Sequence, residues 1–359
     1  MDGVIALLGS GETAPGMVKV HRSLLARYQR PVAINLDTSY GFQENVPQMS
    51  AKLVEFFATS LQTTLETVPL ANYESASRLA RAIAKRRVRE ADYIFAGPGS
   101  PSYALAQWRP LGLVEDFAAA LGHGATLCLA SAATLTLGSH SAPIYEIYKV
   151  GTAPHWLEGL DLLGRVGLHC AVIPHYDNAE GRDYDTRRCY LGERRLALLE
   201  AQLPEDVAIL GIDEHTALIL DLDADTARVL GRGHAYWRRG GEVRVLERDA
   251  PTPLDALRAG SRPTTIPVPA PVPSDQYATI ADAAVAASHG DADALAALVL
   301  ASGHASTPAS LVEAVLDARA AARASAQYEL ADRLRDGLVE AGVEVRDDPN
   351  GTTWHTRPR

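Results

Sequence analysis

A serine at the end of an apolar run is the first residue whose position suggests chemistry. The run "ATLCLA" (125–130) indicates a buried strand, and Ser131 follows it, with Ala132 and Ala133 directly after. A sharp turn from strand to helix exposes one side chain above a sheet and needs small neighbours. Leu129 departs from this pattern, because glycine is usual two positions before such a residue. Ser131 is therefore a candidate nucleophile; the alternative is a small residue where a helix packs on a sheet.

A histidine that ends another apolar run is the candidate base. His175 closes "CAVIPH" (170–175), at the edge where open α/β sheets bind ligands. A serine needs a base to become nucleophilic, and imidazole can accept its proton near neutral pH. The alternative is a structural histidine bonded to a loop carbonyl.

Three carboxylates are candidates for the position beside this histidine. Glu146 lies in "APIYEIYKVG", between the serine and the histidine in sequence. A carboxylate there can hold the imidazole tautomer and stabilise its cation. The alternative for Glu146 is a pair with Lys149 or a solvated position. Asp177, two residues after the histidine, and Glu214 in "GIDEHT" are the competing candidates.

A glycine-containing turn follows a third apolar run. "FAGPGSPSYAL" (95–105) contains Gly97, Pro98 and Gly99 after the predicted strand. Backbone N–H groups of such a turn can join that of Ala132 in an oxyanion hole. "GSGETAP", after the first apolar run, makes a similar loop. The sequence contains neither the GxGxxG dinucleotide motif nor the GxxxxGK[ST] phosphate loop.

Candidates for substrate recognition follow the histidine. "EGRDYDTRRCYLGERR" (180–195) includes Arg187 and Arg188, whose guanidinium groups can hold a carboxylate through paired hydrogen bonds. Asp177 and Asn178, next to the histidine, are further candidates for substrate binding. The alternative is a solvated loop, which is the commoner explanation for such a run of charges.

The elements that must position these residues alternate between strands and helices. Near-continuous apolar runs indicate strands covered on both faces at 4–9, 31–37, 91–97, 125–130 and 170–175. Helical spacing of apolar residues lies between them, at 46–61, 76–91 and 112–124. This rhythm predicts an α/β fold with a doubly wound, mostly parallel sheet. The alternating segment 207–247 predicts a β-meander.

Composition and charge exclude several classes of protein. The 359 residues are 47% hydrophobic and 22% charged, which is ordinary for a globular protein, and the net charge of −10 argues against a broad nucleic-acid-binding surface. Cys128, Cys170 and Cys189 are too far apart in sequence for a zinc-site spacing or a disulfide framework. We therefore expect no metal and no organic cofactor. The first residues lack the features of a signal peptide, and no apolar run approaches a membrane span, which predicts a cytoplasmic protein without membrane contact.

The composition changes after the meander and predicts three parts. Residues 1–249 form the α/β domain, the proline-rich segment 250–276 is a linker, and residues 277–359 form a small helical domain rich in alanine.

In this order, the motifs resemble those of the serine peptidases of the cyanophycinase and α-aspartyl dipeptidase family. The resemblance covers about 1–247 and is carried by "GPGSPSYAL", "ASAAT", "IPHYDN" and "GIDEHTALI". It implies a class I glutamine amidotransferase-like fold, with Ser131 as nucleophile and His175 as general base. It implies Glu146 as the triad acid, because the acid of the dipeptidase follows its serine at the distance that separates Glu146 from Ser131.

The same resemblance implies the groups around the triad. Gly99 and Ala132 would donate to the oxyanion, and an acidic substrate side chain would be held by an arginine of 182–195. The sequence departs from the family at Ala133, where the family has glycine. An alanine there fits unless the backbone needs a positive φ.

A second resemblance covers about 310–359. "LDARAAARASAQYELADRLRDGLVEAGVEVRDDPNGTTW" is similar to the C-terminal tail of cysteinyl-tRNA synthetases, whose HIGH and KMSKS motifs are absent from this sequence. The resemblance implies a shared tail module and not aminoacylation. Four arginines of the tail are candidates for RNA contact: Arg319, Arg323, Arg333 and Arg335. The alternative is a helical hairpin that packs on its own leucines.

We therefore predict a serine hydrolase that cleaves an amide bond in a small peptide through an acyl-enzyme. The alternative is a non-catalytic binding protein on the same scaffold, and a third possibility is amide transfer by Cys128. The predicted partners are a small peptide or amide substrate, a tRNA or protein at the C-terminal helices, and a second copy of the chain in a homodimer.

Overall fold

The computed structural model describes residues 2–248 and 250–258, the segments 343–348 and 351–356, and the single residues Leu316, Arg319 and Arg335. The chain divides into two compact units, Met1–Thr264 and Thr265–Arg359. Among the described residues, no helix has the length and apolar character needed to cross a membrane.

The elements of the first unit alternate over most of its length. The strands are β1 (Val4–Leu8), β2 (Ala33–Leu36), β3 (Leu65–Val68), β4 (Tyr93–Ala96), β5 (Thr126–Ala130), β6 (His140–Ser141), β7 (Leu157–Glu158), β8 (Cys170–Ile173), β9 (Ala208–Ile212), β10 (Thr216–Asp221), β11 (Thr226–Gly231), β12 (Ala235–Arg239), β13 (Glu242–Leu246) and β14 (Thr252–Pro253). The helices are α1 (Val18–Leu25), α2 (Val46–Phe56), α3 (Arg78–Glu90), α4 (Pro101–Leu111), α5 (Leu113–Gly122), α6 (Ala132–Leu135), α7 (Gly192–Glu200) and α8 (Asp255–Arg258).

Strand β5, which Ser131 directly follows, lies near the centre of the larger sheet. Its order is β14-β11-β10-β1-β5-β4-β2-β3. Strand β5 is parallel to both of its neighbours, β1 and β4. The carboxyl ends of these three strands therefore meet at one edge of the sheet, where open α/β folds place their sites.

The second sheet carries the predicted strand of His175. Its order is β13-β12-β9-β8-β6-β7, and β8 is parallel to β9 and to β6. The α/β class with parallel central strands is confirmed. The strands form two sheets, however, because the meander divides: β10 and β11 pair into the first sheet and β9, β12 and β13 into the second.

Burial on both faces explains the continuous apolar runs. Along β1, Ile5 and Leu7 pack into one hydrophobic cluster, whereas Val4, Ala6 and Leu8 pack into the other. Side chains of a strand alternate between faces, so a strand covered on both faces needs apolar residues at every position.

The first unit extends beyond the boundary predicted at residue 249. Strand β14 pairs with β11, and Leu254 and Leu257 lie in the main core cluster with 0% and 2% of their surface exposed. The predicted linker therefore begins too early, because its first residues belong to the α/β unit.

The described part of the second unit contains a β-hairpin of β15 (Val343–Asp348) and β16 (Gly351–Thr356). This hairpin replaces part of the predicted helical domain and polar tail. The other helices predicted over 277–359 lie outside the described residues, apart from the isolated helical positions Leu316, Arg319 and Arg335.

Candidate active site

Ser131 occupies a strained turn between β5 and α6. Its φ of 51° and ψ of −117° lie in a region that residues with side chains rarely adopt. The backbone N–H of Ser131 donates to Leu8 O at 3.0 Å, which ties the turn to the end of β1. Buried Ala132 and Ala133 follow, and their small side chains allow this close approach of backbones. The turn exposes the serine hydroxyl at the carboxyl edge of the larger sheet.

His175 lies within hydrogen-bond distance of this serine. Ser131 Oγ is 2.8 Å from His175 Nε2, and His175 Nδ1 is 2.7 Å from Glu214 Oε1. When Nδ1 carries the ring proton it donates to Glu214, and Nε2 is free to accept from the serine hydroxyl. The three side chains thus form one continuous hydrogen-bonded line.

The parallel pair β8 and β9 brings the histidine and the glutamate together. Ile173 and Gly211 are partners in the register of this pair, and His175 and Glu214 follow them by two and three residues. Both side chains therefore leave the same edge of the second sheet. The hydrogen bond to His175 lowers the pKa of Glu214 below its ordinary value. Glu214 thus remains a carboxylate that can stabilise an imidazolium.

Asp177 and Asn178 support the glutamate. Asn178 is fully buried, and its Nδ2 donates to Glu214 Oε1 at 3.0 Å. Asp177 Oδ1 accepts from the backbone N–H of Glu214 at 2.7 Å. Both residues therefore contact Glu214, and neither is among the residues that line the cavity at Ser131.

Glu146 is not the carboxylate that contacts His175, contrary to the sequence-based expectation. Glu146 begins a π-helical turn, Glu146–Val150, and its Oε2 is buried without a hydrogen-bond partner among the described residues. The imidazole Nδ1 is taken by Glu214, because the neighbouring parallel strand delivers that residue directly. The number of residues between the serine and a carboxylate does not show which strands become neighbours in the sheet.

The loop after β4 flanks Ser131 on the side opposite β1. Gly99 in this loop has a φ of +148°, and a Cβ at this position would lie 1.9 Å from Ser39 O. Only glycine fits so close to another backbone. Ala132 is the first residue of α6, so its N–H has no acceptor within that helix. Gly99 and Ala132 both line the cavity at Ser131.

This cavity has a volume of about 470 Å³. Ser131 and His175 line it together with the following residues: Pro98, Gly99, Pro101, Ala132, Leu135, Ile144, Tyr145, Tyr148, Lys149, Glu180, Cys189 and Tyr190. This volume lies within the range of about 300–1,000 Å³ that is usual for small-molecule sites in proteins.

Arg187 and Arg188 are not among the lining residues, although the sequence suggested them for substrate binding. Arg187 makes two hydrogen bonds to the carboxylate of Asp185, at 2.8 and 3.0 Å. Arg188 donates to Glu193 at 3.0 Å, and its guanidinium lies 3.9 Å from the centre of the Tyr176 ring. Each guanidinium is thus already paired.

Cys128 is a poor nucleophile in this position. It is fully buried within β5, and burial raises the pKa of its thiol to about 12. The thiol therefore stays protonated at neutral pH, whereas the thiolate is the reactive form. Among the described residues, no group of three or more histidine, cysteine, aspartate or glutamate side chains could hold a metal ion.

The fold and the site together define an α/β protein with a hydrogen-bonded serine, histidine and glutamate at the sheet edge. A solved peptidase from an acI-B1 Actinobacterium has a similar fold: the TM-score is 0.57 at 22% identity, over 70% of this chain and 97% of that one. A putative peptidase E protein from Listeria monocytogenes EGD-e gives a TM-score of 0.42 at 14% identity, over 69% of this chain and 99% of that one.

The second unit has a separate similarity. Residues 309–354 match the family described as cysteinyl-tRNA ligase anticodon binding domain. A cysteine–tRNA ligase of Petrotoga mobilis is 43% identical over 44 residues, which are 12% of this chain and 9% of the ligase. The chain therefore spans only a small part of that ligase, and the tail resemblance seen in the sequence is confirmed at the level of this module.

Proposed function

We propose that this protein is a serine hydrolase that cleaves an amide bond in a small peptide. The observation that carries the proposal is the hydrogen-bonded line from Ser131 through His175 to Glu214, with distances of 2.8 and 2.7 Å. A nucleophile, a base and a group that orients the base are the three parts that such catalysis requires. The strained conformation of Ser131 adds support, because strained residues cluster at functional sites.

In the proposed reaction, His175 Nε2 takes the hydroxyl proton as Ser131 Oγ bonds to the carbonyl carbon of the substrate. Glu214 stabilises the imidazolium that forms, and the N–H groups of Gly99 and Ala132 donate to the oxyanion. His175 then gives its proton to the leaving nitrogen as the C–N bond breaks, which leaves an acyl-enzyme. Water attacks this ester with the same histidine as base, releases the acid and restores Ser131.

Labelling with a fluorophosphonate probe tests this proposal directly. The probe phosphonylates activated serines, so the full chain should be labelled once, at Ser131, and Ser131→Ala should not be labelled. His175→Gln should label far more slowly, because Ser131 then lacks its base. Absence of labelling in the wild-type chain would favour the non-catalytic alternative.

A second function is supported by the match of residues 309–354 to an anticodon binding domain. We propose that this module contacts tRNA. The full chain should retard tRNA in a gel-shift assay, and the double substitution Arg333→Gln, Arg335→Gln should weaken that binding and reduce its salt dependence. Binding that does not respond to these substitutions or to salt would contradict the proposal.

A further inference from the structure

The cavity beside Ser131 has a predominantly apolar wall. Apolar atoms contribute most of its surface, and five of the fourteen lining residues have large aliphatic or aromatic side chains: Leu135, Ile144, Tyr145, Tyr148 and Tyr190. Among the described residues that line the cavity, the acidic and basic side chains besides His175 are Lys149 and Glu180, and none is an arginine. The lining therefore differs from the arginine-containing site that the sequence predicts for an acidic substrate.

A left-handed turn places one of these aromatic rings next to the base. Three consecutive residues, Arg188, Cys189 and Tyr190, have φ values of 61°, 57° and 65°. This conformation is unfavourable for residues with side chains, so it persists only where surrounding contacts impose it. The N–H groups of Arg188 and Cys189 donate to Tyr176 O and His175 O, each at 3.0 Å. The turn is thus attached to the segment that carries the base.

Tyr190 is held from several sides. Its ring centre is 6.0 Å from that of His175 and 5.2 Å from that of Tyr148. Its hydroxyl donates to Glu180 Oε2 at 2.8 Å, so this phenol and this carboxylate satisfy each other. The ring is therefore a fixed apolar surface within reach of a substrate bound at Ser131.

The charged groups of the cavity do not form a site for a carboxylate. Lys149 is exposed, and its Nζ lies 4.8 Å from the centre of the Tyr148 ring, where the amine keeps contact with water. A carboxylate buried against the tyrosine rings would lose its hydration, and the only lysine or arginine among the described lining residues is the solvent-exposed Lys149, while Glu180 would repel it. An uncharged side chain meets no such cost and gains from contact with the tyrosine rings.

We infer that this cavity binds an uncharged apolar or aromatic side chain of the substrate, and that Tyr190 is a specificity-determining residue. The inference rests on the proposed function in one respect only: it assigns the side chain to a peptide cleaved at Ser131. It departs from the acidic preference that the family resemblance implies.

Hydrolysis of matched dipeptides by the full chain tests this inference. Phenylalanine, alanine and aspartate are placed in turn at each of the two positions, with alanine at the other, and kcat/KM is measured by chromatography. At one position, the phenylalanine peptide should be cleaved at least ~10-fold more efficiently than the aspartate peptide, as contact with an apolar pocket provides. Equal rates at both positions, or a preference for aspartate, would overturn the inference.

Two substitutions at Tyr190 separate the ring from the hydroxyl. Tyr190→Ala should reduce the preference for phenylalanine over alanine by about 10-fold, because the apolar surface is lost, whereas Tyr190→Phe should retain it. A similar loss in Tyr190→Phe would assign the role to the hydrogen bond with Glu180 and contradict the inference. Circular dichroism and a cooperative thermal transition show that each variant is folded.

Lys149→Gln tests the rival interpretation. If an acidic side chain is the preferred one, loss of this cation should lower kcat/KM for the aspartate peptide selectively. We expect the preference for phenylalanine to remain in this variant.

Binding to Ser131→Ala distinguishes failure of the inference from failure of the proposed function. Isothermal titration of this variant with the same dipeptides needs no turnover, and the phenylalanine peptide should bind more tightly than the aspartate peptide. That preference without serine labelling in the wild type would refute hydrolysis and retain the specificity of the cavity. Labelling without the preference would retain hydrolysis and refute the specificity.

Discussion

In the proposed reaction, the carboxylate beside His175 stabilises the imidazolium that forms when Ser131 is activated. Glu214 accepts from the imidazole at 2.7 Å and is itself oriented by Asn178 and Asp177. A sequence separation suggested Glu146, but that residue begins a π-helical turn, and the two imidazole nitrogens are bonded to Ser131 and Glu214. Substitution of Glu214 and of Glu146 therefore tests which carboxylate assists His175.

Replacement of Glu214 by glutamine should reduce kcat strongly. The amide keeps the shape but removes the charge that stabilises the imidazolium, and in the serine-protease template such a loss costs on the order of 10⁴ in kcat. Glu146→Gln is the matched comparison and should retain most of the activity. Kinetics of both variants on one dipeptide decide between the two acids: a severe defect in Glu146→Gln with normal turnover in Glu214→Gln would restore the sequence-based assignment.

At the scale of elements, the loop between β4 and α4 contributes Pro98 and Gly99 to the wall of the cavity at Ser131. The sequence indicates the strand and the glycine turn, but α4 (Pro101–Leu111) and the short strand β3 (Leu65–Val68) were not predicted. Helix α4 begins with a proline and β3 has two partly exposed positions, so neither presents a clean period of apolar residues.

Gly99→Ala should disturb both stability and activity. Its Cβ would overlap Ser39 O, which forces the loop away from the oxyanion position. We expect the free energy of unfolding to fall by more than about 1 kcal/mol, together with slower labelling of Ser131. Gly122→Ala is the matched control, because no atom of the described residues lies within 4 Å of its added Cβ and the position is helical. That substitution should raise stability by up to about 1 kcal/mol; unchanged stability and labelling in Gly99→Ala would contradict the tight approach.

A buried histidine on α1 should make stability depend on pH. His21 is fully buried, and burial lowers its pKa to about 4. The unfolded chain therefore binds a proton that the folded chain excludes, and this histidine destabilises the fold as pH falls from about 6.5 to 4. Asp37 has the opposite effect on stability over part of this range. Burial raises its pKa to about 6, so the folded chain binds this proton more readily than the unfolded chain, and stability rises as the pH falls.

The difference between wild type and His21→Gln isolates the histidine. Urea unfolding at several pH values should show a steeper loss of stability below pH ~6.5 in the wild type than in the variant. The exposed His123 provides the control substitution, His123→Gln, which should retain the wild-type slope. Parallel curves for wild type and His21→Gln would show that this histidine does not titrate as its burial implies.

At the scale of the whole molecule, the division into Met1–Thr264 and Thr265–Arg359 suggests that the first unit folds by itself. The sequence placed the end of this domain at residue 249, where the proline-rich composition begins. The proline-rich part of the sequence, however, includes Leu254 and Leu257, whose side chains are buried in the core of the first unit.

Two truncations test this boundary. A chain ending at residue 264 should be folded and melt cooperatively, whereas a chain ending at residue 249 should be much less stable. The shorter chain loses two buried leucines, each worth roughly 1.5–3 kcal/mol of burial. Calorimetric melting compares the two, and equal melting temperatures would show that β14 and α8 contribute little.

The sequence alone indicated the class of fold and two of the three side chains that the structure joins by hydrogen bonds, Ser131 and His175. Near-continuous apolar runs indicated strands buried on both faces. Successive side chains of a strand point to opposite faces, so a strand covered on both faces has apolar residues at every position. Ser131 and His175 could be recognised because each directly follows such a run, so the local chain determines where their side chains leave the sheet.

Only the tertiary structure decided the third member, the charge of the cavity and the number of sheets. Glu214 reaches His175 because β9 is parallel to β8, and no local signal shows which strands become neighbours. Arg187 is paired with Asp185 and Arg188 with Glu193, and neither arginine lines the cavity. These outcomes depend on contacts between segments far apart in sequence, which residue types and spacing do not determine.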